Sequence, residues 1–202
     1  MSDARAAVLG RIRAALGPGM PAAVPVPRDY DRQPLIGHGD VDRFAQTVAD
    51  YRARVHRVGP DAVATTIGAL VGTGTAVIPA DLPSDWVAVV RTVVDAPPVG
   101  LDVLDRVDAV VTGCALGIAA TGTIVLDAAA AQGRRALTLV PDHHVCVIRA
   151  DQIVDTVPQA FAALDPSRPL TFISGPSATS DIELQRVEGV HGPRTLDVVI
   201  VG

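Results

Sequence analysis

Residues 174–192 read SGPSATSDIELQRVEGVHG and hold the only two glutamates of the chain, Glu183 and Glu188; the other acidic residues are all aspartate. Two chemistries suit such a string. Gly175 and the serines around it, Ser174 and Ser177, leave backbone N–H groups accessible, and a helix opening near Asp181 would favour an anion there. A carboxyl group at Glu183 and the imidazole of His191 could move protons. The plainer alternative is a turn closed by a capping box, with Glu183 reaching back to the Ser180 N–H. The two are compatible. The spacing predicts a short helix over 181–188, on which glutamates five residues apart stand about 140° from sharing a face. They therefore do not make the convergent carboxyl pair that acid–base catalysis needs. Glu183 stays a candidate, with a surface ion pair to Arg186 as its bland alternative; Glu188 does not.

Two other strings could meet a ligand. AATGTIVL (119–126) flanks Gly122 with Thr121 and Thr123 where a strand begins, and VGTGTAVI (71–78) is related to it. Either could hydrogen-bond a phosphate or carboxylate, although Gly-Thr pairs are also ordinary turn chemistry. PDHHV (141–145) joins VHGPR (190–194) in offering histidines. Adjacent histidines on a strand point to opposite faces, so at most one of His143 and His144 serves a given site. Asp142 and His191 could complete a metal set, but no HxH or HxxxH spacing supports one, and no metal is expected. His191, beside Gly192 and Pro193, reads as a residue at a site's edge or in a turn.

Composition narrows the chemistry further. The chain has 202 residues, 49% of them hydrophobic, enough for one domain with a sizeable core. Its net charge is −5 without long runs of like charge, which argues against nucleic acid or an anionic membrane as partner. Apolar runs are too short to span a bilayer, and the arginine-interrupted N-terminus lacks a secretory apolar stretch. A soluble cytoplasmic protein is expected. There is no lysine. That excludes Schiff-base, pyridoxal and P-loop lysine chemistry. Cys114 and Cys146 lack metal or cluster spacing and read as buried free thiols.

The elements that must position these groups alternate along the chain. Helices are expected over 3–16, 41–58, 61–71, 101–107 and 151–164. Strands are expected over 75–80, 86–92, 109–113, 122–127, 136–142, 145–149, 170–174 and 195–201. Residues 21–34 read as a Pro-rich linker, so residues 1–40 form a helical arm and 41–202 the main domain. The alternation argues an α/β protein with a mainly parallel sheet. Three strands without an intervening helix over 122–149 imply that part of it is antiparallel. Ligands of open α/β sheets sit beyond the carboxyl ends of strands, which is where SGPS follows LTFIS.

In order, GIAATGTIVLD, RRALTLVPDHHVCVI, FISGPSATSDIELQRVEGVHGPR and DVVIVG resemble the lactate utilization protein C family, the single-domain branch of the lactate-utilization (LUD) group. The resemblance covers roughly residues 41–202. It implies a three-layer α/β/α fold of the NagB/RpiA/CoA transferase-like kind. It further implies a role beside two iron–sulfur partner proteins in oxidising L-lactate to pyruvate, with the cluster cysteines in those partners and no cofactor of its own. Ser174, Gly175, Pro176, Ser177, Asp181, Glu183, His191 and Gly192 match the C-terminal motif, and Thr121, Gly122 and Thr123 the central one. The family's central motif usually reads Glu-Thr-Gly-Thr; Ala120 stands where the glutamate would be. The expectation is an accessory subunit binding partner proteins and a small anion. The alternative is a stand-alone enzyme acting on a carboxylate, phosphorylated or CoA-linked metabolite through the SGPS loop, with Glu183 or His191 as acid or base. The third reading is a self-associating structural protein, and a homo-oligomer fits any of the three.

Overall fold

The computed structural model describes residues 2–17, 19, 24–29, 39–179, 187–188 and 191–202. The chain forms two compact units, Met1–Tyr30 and Asp31–Gly202. The first holds α1 (Ser2–Leu16), which stops at Gly17 with φ +74°, the left-handed conformation that ends helices at glycine.

The second unit runs α2 (Val41–Asp50), β1 (Arg54–Val58), α3 (Val63–Val71), β2 (Thr75–Ile78), β3 (Arg91–Val94), α4 (Leu101–Leu104) and β4 (Ala109–Thr112). It continues with β5 (Leu116–Ile118), β6 (Thr123–Leu126), β7 (His143–Arg149), β8 (Ile153–Val154), α5 (Val157–Ala163) and β9 (Thr171–Ile173). β10 (Ala178–Thr179), β11 (Val187–Glu188) and β12 (Thr195–Val201) follow. Six strands make one all-parallel sheet in the order β1-β12-β7-β4-β2-β3. A smaller sheet, β8-β5-β6-β9, contains the antiparallel pairs β5–β6 and β6–β9. The expected α/β architecture with a mainly parallel sheet is therefore present. Its antiparallel part is a sheet of its own, not an edge of the large one.

Apolar residues alternate across the large sheet and bury both faces. Val63, Ile67 and Val71 of α3 pack on Ala109, Val145 and Val199. On the opposite face, Phe44 and Val48 of α2 share a core with Cys146, Ile148 and Val198, and with Ile124 and Leu126 of the small sheet. Strands buried on both sides read as continuous apolar runs, which is why β4, β6 and β12 stand out in the sequence.

Several elements differ from the sequence expectation. The helix expected over 41–58 ends at Asp50; Arg52 takes φ +68° and β1 begins at Arg54. Val55 continued the helical spacing by coincidence and packs against the core from a strand. Residues 136–142 are not a strand: a 3-10 turn spans Arg135–Thr138, burying Leu137 while Leu139 stays exposed. The segment 86–92 divides between a 3-10 turn ending at Val87 and β3. Over 151–164, β8 precedes α5, whose start is fixed by a capping box between Thr156 and Gln159 and by Pro158 in the first turn. Of the helix expected over 181–188, residues 181–186 lie outside the described residues. Val187 and Glu188 are extended and pair antiparallel with Ala178 and Thr179, so Glu188 stands on a strand and not a helix.

Candidate functional site

The central and C-terminal motifs meet at the start of β6 and the end of β9. These strands pair antiparallel, Ile124 opposite Ile173, which sets Thr123 beside Ser174. Thr121 Oγ1 and Thr123 Oγ1 lie 2.7 Å apart, and Thr123 Oγ1 lies 2.8 Å from Ser174 Oγ, a chain of three hydroxyls. The glycines in these motifs have a packing reason. Gly122 has φ +57°, and a Cβ there would stand 2.6 Å from the Thr47 carbonyl carbon. Gly175 has φ +81°, and its Cβ would meet the Tyr51 carbonyl oxygen at 2.3 Å. Both glycines let the backbone abut the last turns of α2, where a side chain has no room and the φ is unfavourable. Thr47 fastens the same junction by donating to the Ala119 carbonyl at 2.8 Å.

Beneath this junction lies a cavity of about 230 Å³ lined by Arg135, Thr138, His144, the 172–177 strand end and loop, His191–Pro193 and Leu196. It thus gathers Ser174, Gly175, Ser177, His191 and Gly192 of the expected site. Thr121, Gly122 and Thr123 are not among its lining residues and reach it through Ser174. Asp181 and Glu183, with the proposed capping box and the Arg186 ion pair, lie outside the described residues. Its position corrects the carboxyl-end expectation. His144 and Leu196 are the second residues of β7 and β12, so the cavity opens at the amino ends of the large sheet. The SGPS loop does follow a strand's carboxyl end, but β9 belongs to the small sheet.

Ser177 ties the two halves of the C-terminal motif. Its N–H donates to the Pro193 carbonyl at 2.8 Å, and its Oγ accepts the His191 N–H at 3.1 Å. Arg194 then clasps Asp142, Nε to Oδ1 at 2.7 Å and Nη2 to Oδ2 at 2.6 Å. That guanidinium holds the Asp142 carboxyl below its usual range. Asp142 is therefore engaged in an ion pair, and His143 and His144 do face opposite sides of β7. Among the described residues no group of three His, Cys, Asp or Glu is arranged to hold a metal.

Sequence reasoning missed the lining residues Arg135 and Thr138 and left open which of His143 and His144 would serve; His144 is the one on the cavity. His144 is buried and its Nε2 lies 2.8 Å from Thr112 Oγ1. Arg135 Nη1 donates to the Thr138 carbonyl at 3.1 Å and to its Oγ1 at 2.8 Å. Partial desolvation pulls the Arg135 pKa down, while the residue as a whole stays exposed. The strand wrongly expected over 136–142 hid Arg135 and Thr138; the alternating-face rule had already allowed one histidine of the pair.

On the opposite face, sequence reasoning also missed a cluster around Asp197, whose side chain is fully buried. It accepts from Arg54 Nε at 2.9 Å, His56 Nε2 at 2.7 Å and His143 Nε2 at 2.6 Å, and Arg54 Nη2 adds a further short contact. Desolvation pushes the carboxyl up, but hydrogen bonds from His143, Arg54 and His56 outweigh it and hold the pKa at about 2. The signal was available: a charged residue inside the apolar run TLDVVIV requires partners.

A larger cavity, about 590 Å³, lies at the carboxyl ends of β4 and β7, between Trp86, Cys114 and Arg149. Its polar groups are internally engaged. Gln132 bonds Asp127, and Gln152 donates to the Cys114 and Ala115 carbonyls. Cys114 and Cys146 are buried free thiols, as expected. The hydrogen bond that Cys114 donates to Cys146, together with burial, pushes the Cys114 thiol well above its ordinary pKa, so it is no ready nucleophile.

Comparison with known proteins bears on the same elements. The LUD domain matches residues 101–201, which hold the whole cavity lining. A lactate utilization protein C of Deinococcus radiodurans is 44% identical over 100% of this chain and 97% of its own length. A second protein of that name, from Geobacillus kaustophilus, is 29% identical over 66% of this chain and 65% of its own length. The crystal structure of a DUF162 family protein from Deinococcus radiodurans superposes with a TM-score of 0.68 at 41% identity, covering 80% of this chain and 96% of that one. Among the described residues no helix is long and apolar enough to cross a membrane. By its end-to-end match and its LUD domain, the chain belongs to the lactate utilization protein C family.

Proposed function

We propose that the protein serves lactate utilization as an accessory subunit of an L-lactate-oxidising system, binding a small anion in the cavity beneath the 174–177 loop. Iron–sulfur partner proteins carry the electrons in this reading. The observation that carries it is the 44% identity over the full chain to a protein named for lactate utilization. The cavity supports the ligand: it offers a guanidinium, two imidazoles and three hydroxyl side chains. Deletion of the gene is expected to abolish growth on L-lactate and not on glucose, and the tagged protein to retain iron–sulfur proteins from lactate-grown cells. Normal growth on lactate together with an empty pull-down would overturn the reading.

A second reading is favoured by the same convergence of imidazole and hydroxyl groups. In it the protein alone turns over a small carboxylate, phosphorylated or CoA-linked metabolite, with Glu183 or His191 as acid or base. Product formation by the purified chain without partners, lost on substituting either residue, separates it from the first.

A further inference from the structure

We propose that Arg135 takes the carboxylate of a small 2-hydroxy or 2-oxo acid in the cavity, and that the hydroxyls of Ser174 and Ser177 read its 2-oxygen. The choice of a lactate-like acid rests on the lactate-utilization reading; the assignment of Arg135 rests on the cavity itself.

Five other described arginines of the C-terminal half each have an aspartate, among them Arg106, which meets Asp102 at 2.8 Å. Arg134 meets Asp95 at 2.8 Å, Arg149 meets Asp151 at 3.0 Å, Arg168 meets Asp127 at 3.5 Å and Arg194 meets Asp142 at 2.6 Å. Arg135 has no carboxylate partner among the described residues. Only its Nη1 is engaged, on Thr138. A guanidinium presents five N–H donors in a planar fork, so Nε and Nη2 remain for a two-pronged grip on a carboxylate. The residue is exposed on the cavity wall, open to an incoming anion, and lacks a carboxylate counter-ion among the described residues. An anion in the cavity supplies that counter-ion.

Size and the second contact narrow the ligand. Sites for drug-sized molecules run roughly 300–1,000 Å³. At about 230 Å³ this cavity suits an acid of a few heavy atoms. Ser177 Oγ already accepts the His191 N–H, which leaves its own proton to donate. Ser174 Oγ shares a hydrogen bond with Thr123, whose hydroxyl is tied to Thr121, so its orientation is fixed from behind. A carboxylate at Arg135 with an oxygen on the adjoining carbon satisfies both sides of the cavity.

The test is calorimetric titration of the purified full chain with L-lactate, pyruvate, neutral lactamide and inorganic phosphate, repeated on Arg135→Gln and Arg135→Lys. At least one of the two acids should bind the wild type while lactamide does not. Arg135→Gln should weaken it about 10- to 100-fold, the worth of charge-assisted hydrogen bonds, and Arg135→Lys less. Unfolding midpoints are measured alongside; should the Gln variant not fold, the Lys variant carries the comparison. Unchanged affinity in the variants, equal binding of lactamide, preference for phosphate, or no acid bound at tens of millimolar would each overturn the proposal. Loss of growth on lactate in the deletion strain would still uphold the wider reading, so the two can fail separately.

Discussion

His143 and His144 are neighbours in sequence and sit in opposite electrostatic worlds. On the α3 face, His143 joins Arg54 and His56 around one fully buried carboxylate, and each of these donors is spent on Asp197. On the other face, His144 borders a cavity where Arg135 meets hydroxyls and carbonyls but no carboxylate among the described residues. Both regions bring cationic side chains to the amino ends of β7 and β12. The difference is saturation. A buried ion whose partners are all present fixes structure. Donors left with room and no counter-charge are placed for something that arrives later.

The largest expected effect breaks the saturated side. Asp197→Ala leaves a guanidinium and two imidazoles without their shared acceptor, and should cost roughly 3–5 kcal/mol in urea unfolding. Arg135→Gln should stay within about 0.5 kcal/mol, as for a substitution away from core and ion networks. Equal losses would erase the contrast and make Arg135 structural. Acid titration sharpens the same point. The folded carboxyl of Asp197 lies at about 2 against an ordinary 3.8. Because the folded value is depressed, its contribution is complete above about pH 4 and is lost as pH falls from there towards 2. That contribution is roughly 2 kcal/mol. Asp95 and Asp142 are also held low by arginines and add slope in the same acid range. The part due to Asp197 is therefore the difference between wild type and Asp197→Asn, and an identical acid slope in both would refute it.

A middle-sized effect belongs to the cavity side. Thr112 is fully buried and its hydroxyl is the 2.8 Å partner of His144 Nε2. Thr112→Val keeps the shape and removes that partner, at a cost of about 1–3 kcal/mol for the orphaned ring nitrogen. Thr112→Ser should recover most of it. If Val and Ser variants unfold at the same urea concentration, the hydrogen bond does not hold His144, and the cavity wall is set by packing alone.

The contrast was half legible in the sequence. β12 has the boundaries its apolar run implied, because a strand buried on both faces is written without interruption. β1 was missed because RVHRV spends its outward positions on Arg54 and His56, the groups that reach Asp197, while Val55 prolonged a helical rhythm begun at Phe44. The motif glycines were seen as ligand loops; Gly122 and Gly175 turn out to be contact points with α2, a role that depends on tertiary approach and carries no local signature. Arg135 was invisible for a related reason. A 3-10 turn has little periodicity of its own, and Leu137 and Leu139 imitated strand alternation.

The smallest effect tests whether burial, and not pairing itself, separates the regions. Asp142 and Arg194 form a bidentate pair at the cavity's edge with side chains 52% and 61% exposed, against 0% for Asp197. Geometry alone would rank this pair beside the Asp197 cluster. Solvent screening argues otherwise: exposed pairs contribute about 0.2–1 kcal/mol even with good geometry. Asp142→Asn should therefore shift the urea midpoint only slightly, and added salt should shrink the difference from wild type. A salt-insensitive loss above about 2 kcal/mol would mean that the clasp holds the 191–194 turn through more than its charges. The Asp142 carbonyl, which accepts the Thr195 N–H at 3.1 Å and survives this substitution, is the contact that should keep that turn in place.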